Sequence, residues 1–399
     1  MHRPEPPRPD MSTRLHILHD AGQSLWLDYI DRAMLSNGDL ARRISEDALT
    51  GMTSNPTIFE KALAEGSAYD GQIAALPPSY TDRDVFETVA ATDVRDACDR
   101  FRGVYDASEA VDGYVSLEVS PDLARDAEGT VHEALKLWRL VDRPNLMIKV
   151  PGTPEGAVAV RRLIAAGLNV NVTLLFAVEA HARVIEAYLA GLEERAAAGQ
   201  PIDRIASVAS FFVSRVDSAI DKQLETRAAA ATEPAQAAAL RALQGKAAIA
   251  NAKLAYELFM TSFAGPRWAA LSAKGARVQR PLWASTSTKN PAFRDVIYVE
   301  ELIGPHTVNT LPPATLEAFR DHGETRQSVT TDVAASKAAL VSLAEHGVSL
   351  TAVTDTLLTD GLASFEHSFV TLLAGIARKR AALGVSHSID HGASAVVSH

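Results

Sequence analysis

The sequence predicts an α/β fold, a single (β/α)8 (TIM) barrel that carries additional helices and a helical C-terminal extension. Short β-rich runs alternate with longer helical runs, as in a parallel sheet covered by helices, and the candidate strands number eight, the count that closes such a barrel. A doubly wound open sheet is the alternative. It is disfavoured because no glycine-rich dinucleotide loop follows a candidate strand, and because polar residues recur at many strand ends rather than at one crevice.

The candidate strands are short apolar runs, and a segment that is plausibly helical follows each of them. Their bounds are residues 25–30, 51–53, 114–119, 146–150, 168–175, 206–213, 281–285 and 307–309. Barrels of this type typically take about 250 residues, and more with insertions, so one elaborated domain fits the length of 399 residues.

The helices between the central strands have recognisable ends. Thr153 is an N-cap residue, Pro154 stands at the first helical position, and Gly167 ends that helix. A second helix is expected over residues 177–198, with Gly199 at its end. The middle of the chain therefore contains two successive strand–helix units.

An alanine-rich segment covers residues 227–253. Alanine is the best helix former, and the flanks of the segment keep an apolar periodicity. The segment is therefore predicted to be helical and ordered, with a break near Glu233 and Pro234.

The two ends of the chain are expected to lie outside the barrel domain, which is assigned to residues 15–385. The proline-rich start can bury little in exchange for the entropy lost on ordering, so residues 1–14 are expected to be disordered and residues 386–399 to form a flexible tail. Helices are expected at 333–345 and 363–383. Their apolar face would either cover the barrel mouth or form a subunit contact, as in a homodimer, so a monomer and a homodimer both remain open.

Composition argues against several classes of partner. The formal net charge is -10 and the pI is near 5.7, so the average surface field repels nucleic acid and anionic membranes. A phosphate group would therefore have to meet a local basic site. No apolar run is long enough to span a bilayer, and the start of the chain lacks the apolar stretch of a secretory signal. We expect a soluble protein without a targeting segment.

Cysteine and histidine usage argues against bound metal. The single cysteine, Cys98, cannot form an intramolecular disulfide and leaves too few thiolates for a structural zinc or an iron–sulfur cluster. The absence of disulfides fits a reducing, cytoplasmic location best. Cys98 is expected to be a packing residue rather than a nucleophile. The twelve histidines show no metal-ligand spacing, so no metal site is expected.

Polar residues lie in or directly after several candidate strands, where a barrel interior would normally hold aliphatic side chains. Because the carboxyl ends of the strands meet at one end of a barrel, these side chains are expected to point into one cavity there. They are Asp28, Asn55, Glu118, Lys149, Asn171, Thr173, Ser210 and Arg215.

Lys149 is the most informative of these residues. Between Ile148 and Val150 it would be desolvated, which favours the neutral amine that attacks a carbonyl carbon. A lysine that extends its charged end to solvent, or one that pairs with a buried carboxylate, would explain the same position. Asp28 and Glu118 favour catalysis because Schiff-base chemistry needs several proton transfers, although Asp28 alone could cap a helix and Glu118 alone could be the partner of Lys149.

Seven separated segments resemble the strand motifs of the transaldolase family, in the right order. The segments are LWLDYI, LTGMTSNPTIF, VSLEVSP, MIKVPGTPEG, NVNVTLLF, SVASFFVSRVD and LWASTSTKNP. The resemblance covers roughly residues 15–310 and is closest to the longer bacterial form of the family. It implies a (β/α)8 barrel of the class I aldolase superfamily, with a Schiff-base lysine on the fourth strand. Lys149 lies on the fourth candidate strand.

The resemblance implies the catalytic roles. Lys149 would attack C2 of a ketose phosphate donor such as fructose 6-phosphate or sedoheptulose 7-phosphate, and Asp28 would remove the proton of the C4 hydroxyl. Glu118 and Thr173 would hold the water used in forming and breaking the Schiff base. The acceptor would be an aldose phosphate, glyceraldehyde 3-phosphate or erythrose 4-phosphate. The iminium itself is the electron sink, so no cofactor is expected.

The resemblance also implies the binding residues. Asn55 and Asn171 would bind the dihydroxyacetone hydroxyl groups, and Ser210 and Phe212 lie nearby. For the phosphate the first candidate is Arg215, because a guanidinium can meet two phosphate oxygens.

The family's seventh strand supplies a serine and a basic residue, which correspond to Ser285 and Lys289. The segment STSTKN is longer here than in the shorter family form, and lysine stands where an arginine is familiar. This departure puts affinity in doubt rather than the type of reaction. Lys289 could instead be a solvated loop lysine.

Two alternatives remain open. A fructose 6-phosphate aldolase of the same superfamily typically has glutamine at the position of Glu118 and tyrosine at that of Phe212, and it is much shorter. A phosphosugar-binding barrel that has lost its chemistry would not need a competent residue at every catalytic position, as this sequence has.

Overall fold

Eight parallel strands form one closed barrel in a computed structural model that describes residues 13–64 and 66–385. The strands are β1 (Gln23–Asp28), β2 (Leu49–Thr53), β3 (Tyr114–Glu118), β4 (Leu146–Pro151), β5 (Val170–Leu175), β6 (Ser207–Phe212), β7 (Gln279–Ala284) and β8 (Thr307–Leu311). Neighbours in the chain are neighbours in the barrel, and β8 pairs with β1. The predicted fold and all eight predicted strands are confirmed, with bounds that differ by no more than two residues.

Helices surround the barrel and fill the connections between its strands. They are α1 (Arg14–Asp20), α2 (Arg32–Ser36), α3 (Asp39–Glu46), α4 (Pro56–Ala64), α5 (Asp70–Ala75), α6 (Asp82–Ala107), α7 (Ala127–Val141), α8 (Pro154–Ala166), α9 (Val178–Ala197), α10 (Ser214–Ala230), α11 (Pro234–Arg241), α12 (Ala247–Ser262), α13 (Pro266–Ser272), α14 (Ile297–Glu300), α15 (Pro313–His322), α16 (Val333–Glu345) and α17 (Leu350–Ala382), with a 3-10 turn at Pro121–Leu123. Within the described ranges, no helix is both long and apolar enough to cross a bilayer.

The predicted helix ends around α8 are confirmed. Thr153 Oγ1 accepts a hydrogen bond from Gly156 N, and Gly167 adopts the left-handed conformation that ends the helix. In the alanine-rich segment, α10 ends at Ala230 and α11 begins at Pro234, as expected, but a second break separates α11 from α12. That second break has no proline to mark it in the sequence.

The two expected tails lie almost wholly outside the described residues, which exclude 1–12 and 386–399. Thr13 and Arg14, assigned to the first tail, are described: Thr13 Oγ1 accepts a hydrogen bond from His16 N and caps α1.

The amino-terminal half of the barrel interior is filled by packed side chains. The indole of Trp26 lies beside Gly51, and a Cβ atom at position 51 would lie 2.5 Å from Trp26 Nε1. The indole N–H donates a hydrogen bond of 2.7 Å to Asp112, and the carboxylate of Asp112 also lies 3.5 Å from Arg280. A large aromatic ring and a buried ion pair close this half beside β1, and the cavity lined by polar residues at the strand ends opens toward the carboxyl ends of the strands.

The C-terminal extension covers that open end. Helix α17 packs against α4, α6, α10 and β5, and the side chains of Phe365 and Phe369 are buried. Gly361 lies over Leu174, and a Cβ atom at position 361 would lie 3.1 Å from Leu174 Cδ2. Of the two roles considered for these helices, covering the barrel mouth is therefore observed for α17.

A buried histidine outside the cavity makes folding sensitive to acid. The imidazole of His181 on α9 is fully buried, its centroid lies 6.0 Å from that of Phe211, and neither ring nitrogen has a hydrogen-bond partner among the described residues. Burial lowers the pKa of His181 to about 4. An unfolded histidine has a pKa of about 6.5, so between these values the unfolded state binds more protons and stability falls as pH falls.

Replacing His181 with leucine is expected to remove this component of acid sensitivity. The loss of unfolding free energy between pH 7 and pH 4.5 should be smaller than in the wild type by roughly 2 to 3 kcal/mol. Urea unfolding at both pH values measures it, with His132→Gln, a substitution of an exposed histidine, as the control. Equal losses of unfolding free energy in the wild type and in His181→Leu would show that His181 is not a source of the acid sensitivity.

Candidate active site

A cavity of about 350 Å³ opens at the carboxyl ends of the strands, under α17. Nine of the eleven predicted site residues line it: Asp28, Asn55, Lys149, Thr173, Ser210, Phe212, Arg215, Ser285 and Lys289. The other two, Glu118 and Asn171, lie on β3 and β5 directly beside Lys149 in the strand register. The structure therefore brings the predicted residues into one site, with two of them behind the cavity wall.

Lys149 lies at the boundary between the packed wall and the cavity. Its residue is 5% exposed, and Nζ donates a hydrogen bond of 3.1 Å to the carbonyl oxygen of Ser54. Nζ also lies 3.2 Å from Glu118 Oε2 and 5.9 Å from the ring centroid of Phe365. The amine is thus desolvated and oriented, and it remains in reach of a carbonyl group in the cavity.

Glu118 pairs with Lys149, as the structural alternative anticipated, and it is also placed for proton transfer. The side chain is buried, and neither carboxylate oxygen accepts a well-directed hydrogen bond from the described residues, although Oε2 is within ion-pair distance of the amine. Burial raises the pKa of Glu118, the charge of Lys149 opposes that rise, and the charge of Asp28 adds to it. A carboxyl group in this environment can both hold and release a proton next to the amine.

Asp28 ends β1 and faces the cavity. Its Oδ1 accepts a hydrogen bond of 2.8 Å from Thr53 Oγ1, the residue opposite it on β2. Burial raises the pKa of Asp28, while the charges of Lys149 and Arg215 and the Thr53 hydroxyl oppose the rise. The helix that follows is capped by Asp31 and not by Asp28. Asp28 is therefore available as a general base.

The wall behind Lys149 is a chain of polar side chains. Ser210 Oγ donates a hydrogen bond of 2.6 Å to Asn171 Oδ1, and Asn171 Nδ2 donates one of 3.0 Å to Ser116 Oγ. Asn171 is fully buried by these contacts. Of these three side chains, that of Ser210 lines the cavity, so its hydroxyl is the group of the network that a ligand can contact.

Two lining residues keep polar groups available. Asn55 Oδ1 accepts a hydrogen bond of 3.0 Å from Ile58 N at the start of α4, which leaves its amide N–H groups for a ligand. Thr173 Oγ1 is buried and has no hydrogen-bond partner within the described part of the chain. The pairing register between β5 and β6 shifts between Val172 and Leu175, and Leu174 has a φ of 58°. Thr173 therefore lies in a β-bulge near the carboxyl end of β5.

A basic corner lies on the side of β6 and β7. The Arg215 guanidinium stands 5.3 Å above the Phe212 ring, and Lys289 Nζ donates a hydrogen bond of 2.5 Å to Ser287 Oγ. Burial and the nearby charge of Arg215 lower the pKa of Lys289, and the hydroxyl of Ser285 also faces the cavity. Lys289 is an exposed loop residue that nevertheless lines the cavity. The arrangement suits an anionic group such as a phosphate.

Several lining residues were missed by the sequence analysis: Thr53, Thr57, Lys61, Thr310 and Phe365. Thr53 ends β2 and Thr310 is the last residue but one of β8, so both could have been found by the strand-end argument that found Asp28. Lys61 lies on α4 and Phe365 on α17, and their positions depend on how those helices pack, for which the local sequence has no signal.

Two further expectations concern residues away from the cavity. Cys98 is buried on α6 and burial raises the pKa of its thiol, which confirms it as a packing residue. Between residues 13 and 385, position 65 aside, no group of three or more His, Cys, Asp or Glu side chains could hold a metal ion.

The sequence was also compared with those of known proteins. The sequence profile of the family described as Transaldolase/Fructose-6-phosphate aldolase matches residues 25–376. A protein of Thermobifida fusca named transaldolase is 49% identical over 374 residues, which cover 93% of this chain and 100% of the relative. The transaldolase of Frankia alni is 48% identical over 92% of this chain and 98% of the relative, and that of Trichodesmium erythraeum is 46% identical over 91% and 96%.

Proposed function

The chain belongs to the transaldolase/fructose-6-phosphate aldolase family and has transaldolase function, and we propose that it acts through a Schiff base on Lys149. Its substrates are phosphosugars. The observation that carries the proposal is the placement of one desolvated amine beside Glu118 and Asp28, in a cavity that has a basic corner.

The first stage is the capture of the donor. Lys149 Nζ attacks C2 of a ketose phosphate, fructose 6-phosphate or sedoheptulose 7-phosphate, and forms a carbinolamine. A proton is delivered to the C2 oxygen, which leaves as water and yields the iminium. Glu118 and Thr173 hold that water and move its protons. The Glu118 carboxylate lies beside the amine, and the Thr173 hydroxyl has no hydrogen-bond partner among the described residues, which supports these roles.

The second stage is cleavage. Asp28 takes the proton of the C4 hydroxyl, the C3–C4 bond breaks, and its electron pair moves into the iminium to give a three-carbon enamine on Lys149. The carbonyl formed at C4 leaves as the aldehyde glyceraldehyde 3-phosphate or erythrose 4-phosphate. A second aldose phosphate then accepts the three-carbon unit by the reverse steps. The pKa of Asp28, raised by burial, supports its role as the base.

Substrate orientation is assigned to the remaining lining groups. The amide of Asn55 and the hydroxyl of Ser210 would bind the dihydroxyacetone hydroxyl groups, and Asn171 would fix Ser210 from behind. The phosphate would lie between Arg215 and Lys289, and Ser285 and Phe212 would complete that end of the cavity. This placement puts the phosphate on the β6–β7 side and the reacting carbons next to β4 and β1.

Transfer and simple aldol cleavage differ in the fate of the three-carbon unit. With fructose 6-phosphate alone, the enzyme should release no more than about one glyceraldehyde 3-phosphate per active site and almost no free dihydroxyacetone, because the three-carbon enamine stays on Lys149. Erythrose 4-phosphate should restore continuous turnover, with sedoheptulose 7-phosphate as product. A coupled assay for glyceraldehyde 3-phosphate, with direct detection of dihydroxyacetone, measures both. Rapid release of free dihydroxyacetone without an acceptor would instead indicate a fructose 6-phosphate aldolase.

We further propose that residues 15–385 act as one domain in the cytoplasm, as a monomer or a homodimer, without nucleic acid or membrane as a partner. The single cysteine and the acidic net charge support this setting.

A further inference from the structure

The hydroxyl group of Thr53 has one hydrogen and two close partners. Its Oγ1 lies 2.8 Å from Asp28 Oδ1 and 2.6 Å from Thr310 Oγ1. An ionised carboxylate can only accept, so Thr53 must donate its hydrogen to Asp28 whenever Asp28 is charged. The hydrogen between the two threonines then comes from Thr310. The charge state of Asp28 therefore fixes the direction of both hydrogen bonds.

The three side chains come from three neighbouring strands. Strand β1 lies between β8 and β2, Asp28 is paired with Thr53, and Thr310 is paired with Trp26, two residues before Asp28. Thr310 thus reaches Thr53 across the inner face of β1, on the amino-terminal side of the carboxylate. Thr53 is 1% exposed and Thr310 is 5% exposed, so bulk water competes little for either hydroxyl.

We propose that Thr310 is a positioning residue for the general base: it donates to Thr53, which donates to Asp28, and the two bonds hold the carboxylate ionised and in one orientation toward the substrate. The proposal rests on the role of Asp28 in the function proposed above. Thr310 itself exchanges no proton with the substrate.

The surroundings of Asp28 show why such support has an effect. Burial disfavours its charge, and the charged groups that face it are Lys149 on β4, Arg215 at the start of α10 and Glu118 on β3. A hydroxyl that accepts a hydrogen bond is a stronger donor than one that does not. Removal of the Thr310 hydroxyl would weaken the bond from Thr53 and make the ionised form of Asp28 less favourable, while the three charged groups stay in place.

Thr310→Val keeps the size of the side chain and removes the donor. We expect kcat to fall about tenfold with little change in KM, because a hydrogen bond to a charged network is weakened while the cavity keeps its shape. The acid limb of the pH profile of kcat/KM should move to higher pH. After borohydride reduction with fructose 6-phosphate, a larger share of the adduct should retain all six carbons, since capture proceeds and cleavage is slowed.

Two variants separate positioning from a loss of packing. Thr310→Ser keeps the hydroxyl and should restore most of the activity and the pH profile. Thr50→Val removes another buried hydroxyl of β2, which donates to Leu25 O away from the cavity, and should leave both readouts unchanged. An unshifted acid limb and an unchanged adduct ratio in Thr310→Val would overturn the proposal, while wild-type transfer would still stand. Absence of transfer in the wild type would instead count against the proposed function.

Discussion

Replacing Lys149 with alanine is expected to lower kcat/KM for dihydroxyacetone transfer by roughly 10⁵-fold or more, because covalent catalysis through the amine is lost entirely. Asp28, Glu118 and the basic corner would remain, so the variant should still bind ketose phosphate. No adduct should form when it is reduced with borohydride in the presence of fructose 6-phosphate. A coupled assay with erythrose 4-phosphate as acceptor measures the loss.

The same substitution leaves Glu118 buried without its partner, so reduced stability has to be separated from lost chemistry. Lys253→Ala is the matched control, because Lys253 is also a buried lysine and lies outside the cavity. Its Nζ donates a hydrogen bond of 2.9 Å to the carbonyl oxygen of Thr331 and lies 3.6 Å from the carboxylate of Glu301. That variant should lose stability and keep full chemistry per folded molecule. Lys149→Ala with measurable adduct formation would mean that another amine is the nucleophile.

Asp28→Asn is expected to lower kcat by about 10²- to 10⁴-fold, the usual contribution of a positioned general base. The amide cannot take the C4 proton, but Lys149 can still capture the donor. Borohydride reduction with fructose 6-phosphate should therefore trap the whole six-carbon sugar on the enzyme, where the wild type is trapped with three carbons. Mass spectrometry of the intact protein distinguishes the two adducts.

Asp31→Asn supplies the comparison for Asp28→Asn, since Asp31 lies three residues away and its carboxylate caps α2 by accepting from Met34 N. It should keep the three-carbon adduct and near wild-type kcat. If Asp28→Asn also gave the three-carbon adduct at the wild-type rate, a different group would have to remove the C4 proton.

The barrel and most of its site could be predicted because both follow from local patterns in the sequence. Each strand is a short apolar run, and residues such as Asp28 and Lys149 are polar exceptions at strand ends. Strand alternation and the shared carboxyl end of a barrel then bring them together. Six of the nine predicted residues that line the cavity were found from these local patterns, and the other three, Phe212, Ser285 and Lys289, from the family resemblance.

The remaining features depend on tertiary packing. Phe365 reaches the amine only because α17 folds back over the barrel, and nothing in its own segment indicates that contact. Strand alternation does not show that Asn171 is enclosed by Ser116 and Ser210, whereas Thr173, on the same strand, lines the cavity. The difference follows the bulge at Leu174, which the sequence does not indicate. The hydrogen bond between Thr310 and Thr53 is likewise a property of barrel closure, because β8 meets β1 only in the folded chain.

The most direct test of the central claim is to reduce the wild-type enzyme with borohydride during incubation with fructose 6-phosphate, digest it, and locate the label by mass spectrometry. The account predicts a three-carbon unit on the side chain of Lys149. A label on Lys61 or Lys289, which also line the cavity, or the absence of any label would contradict it.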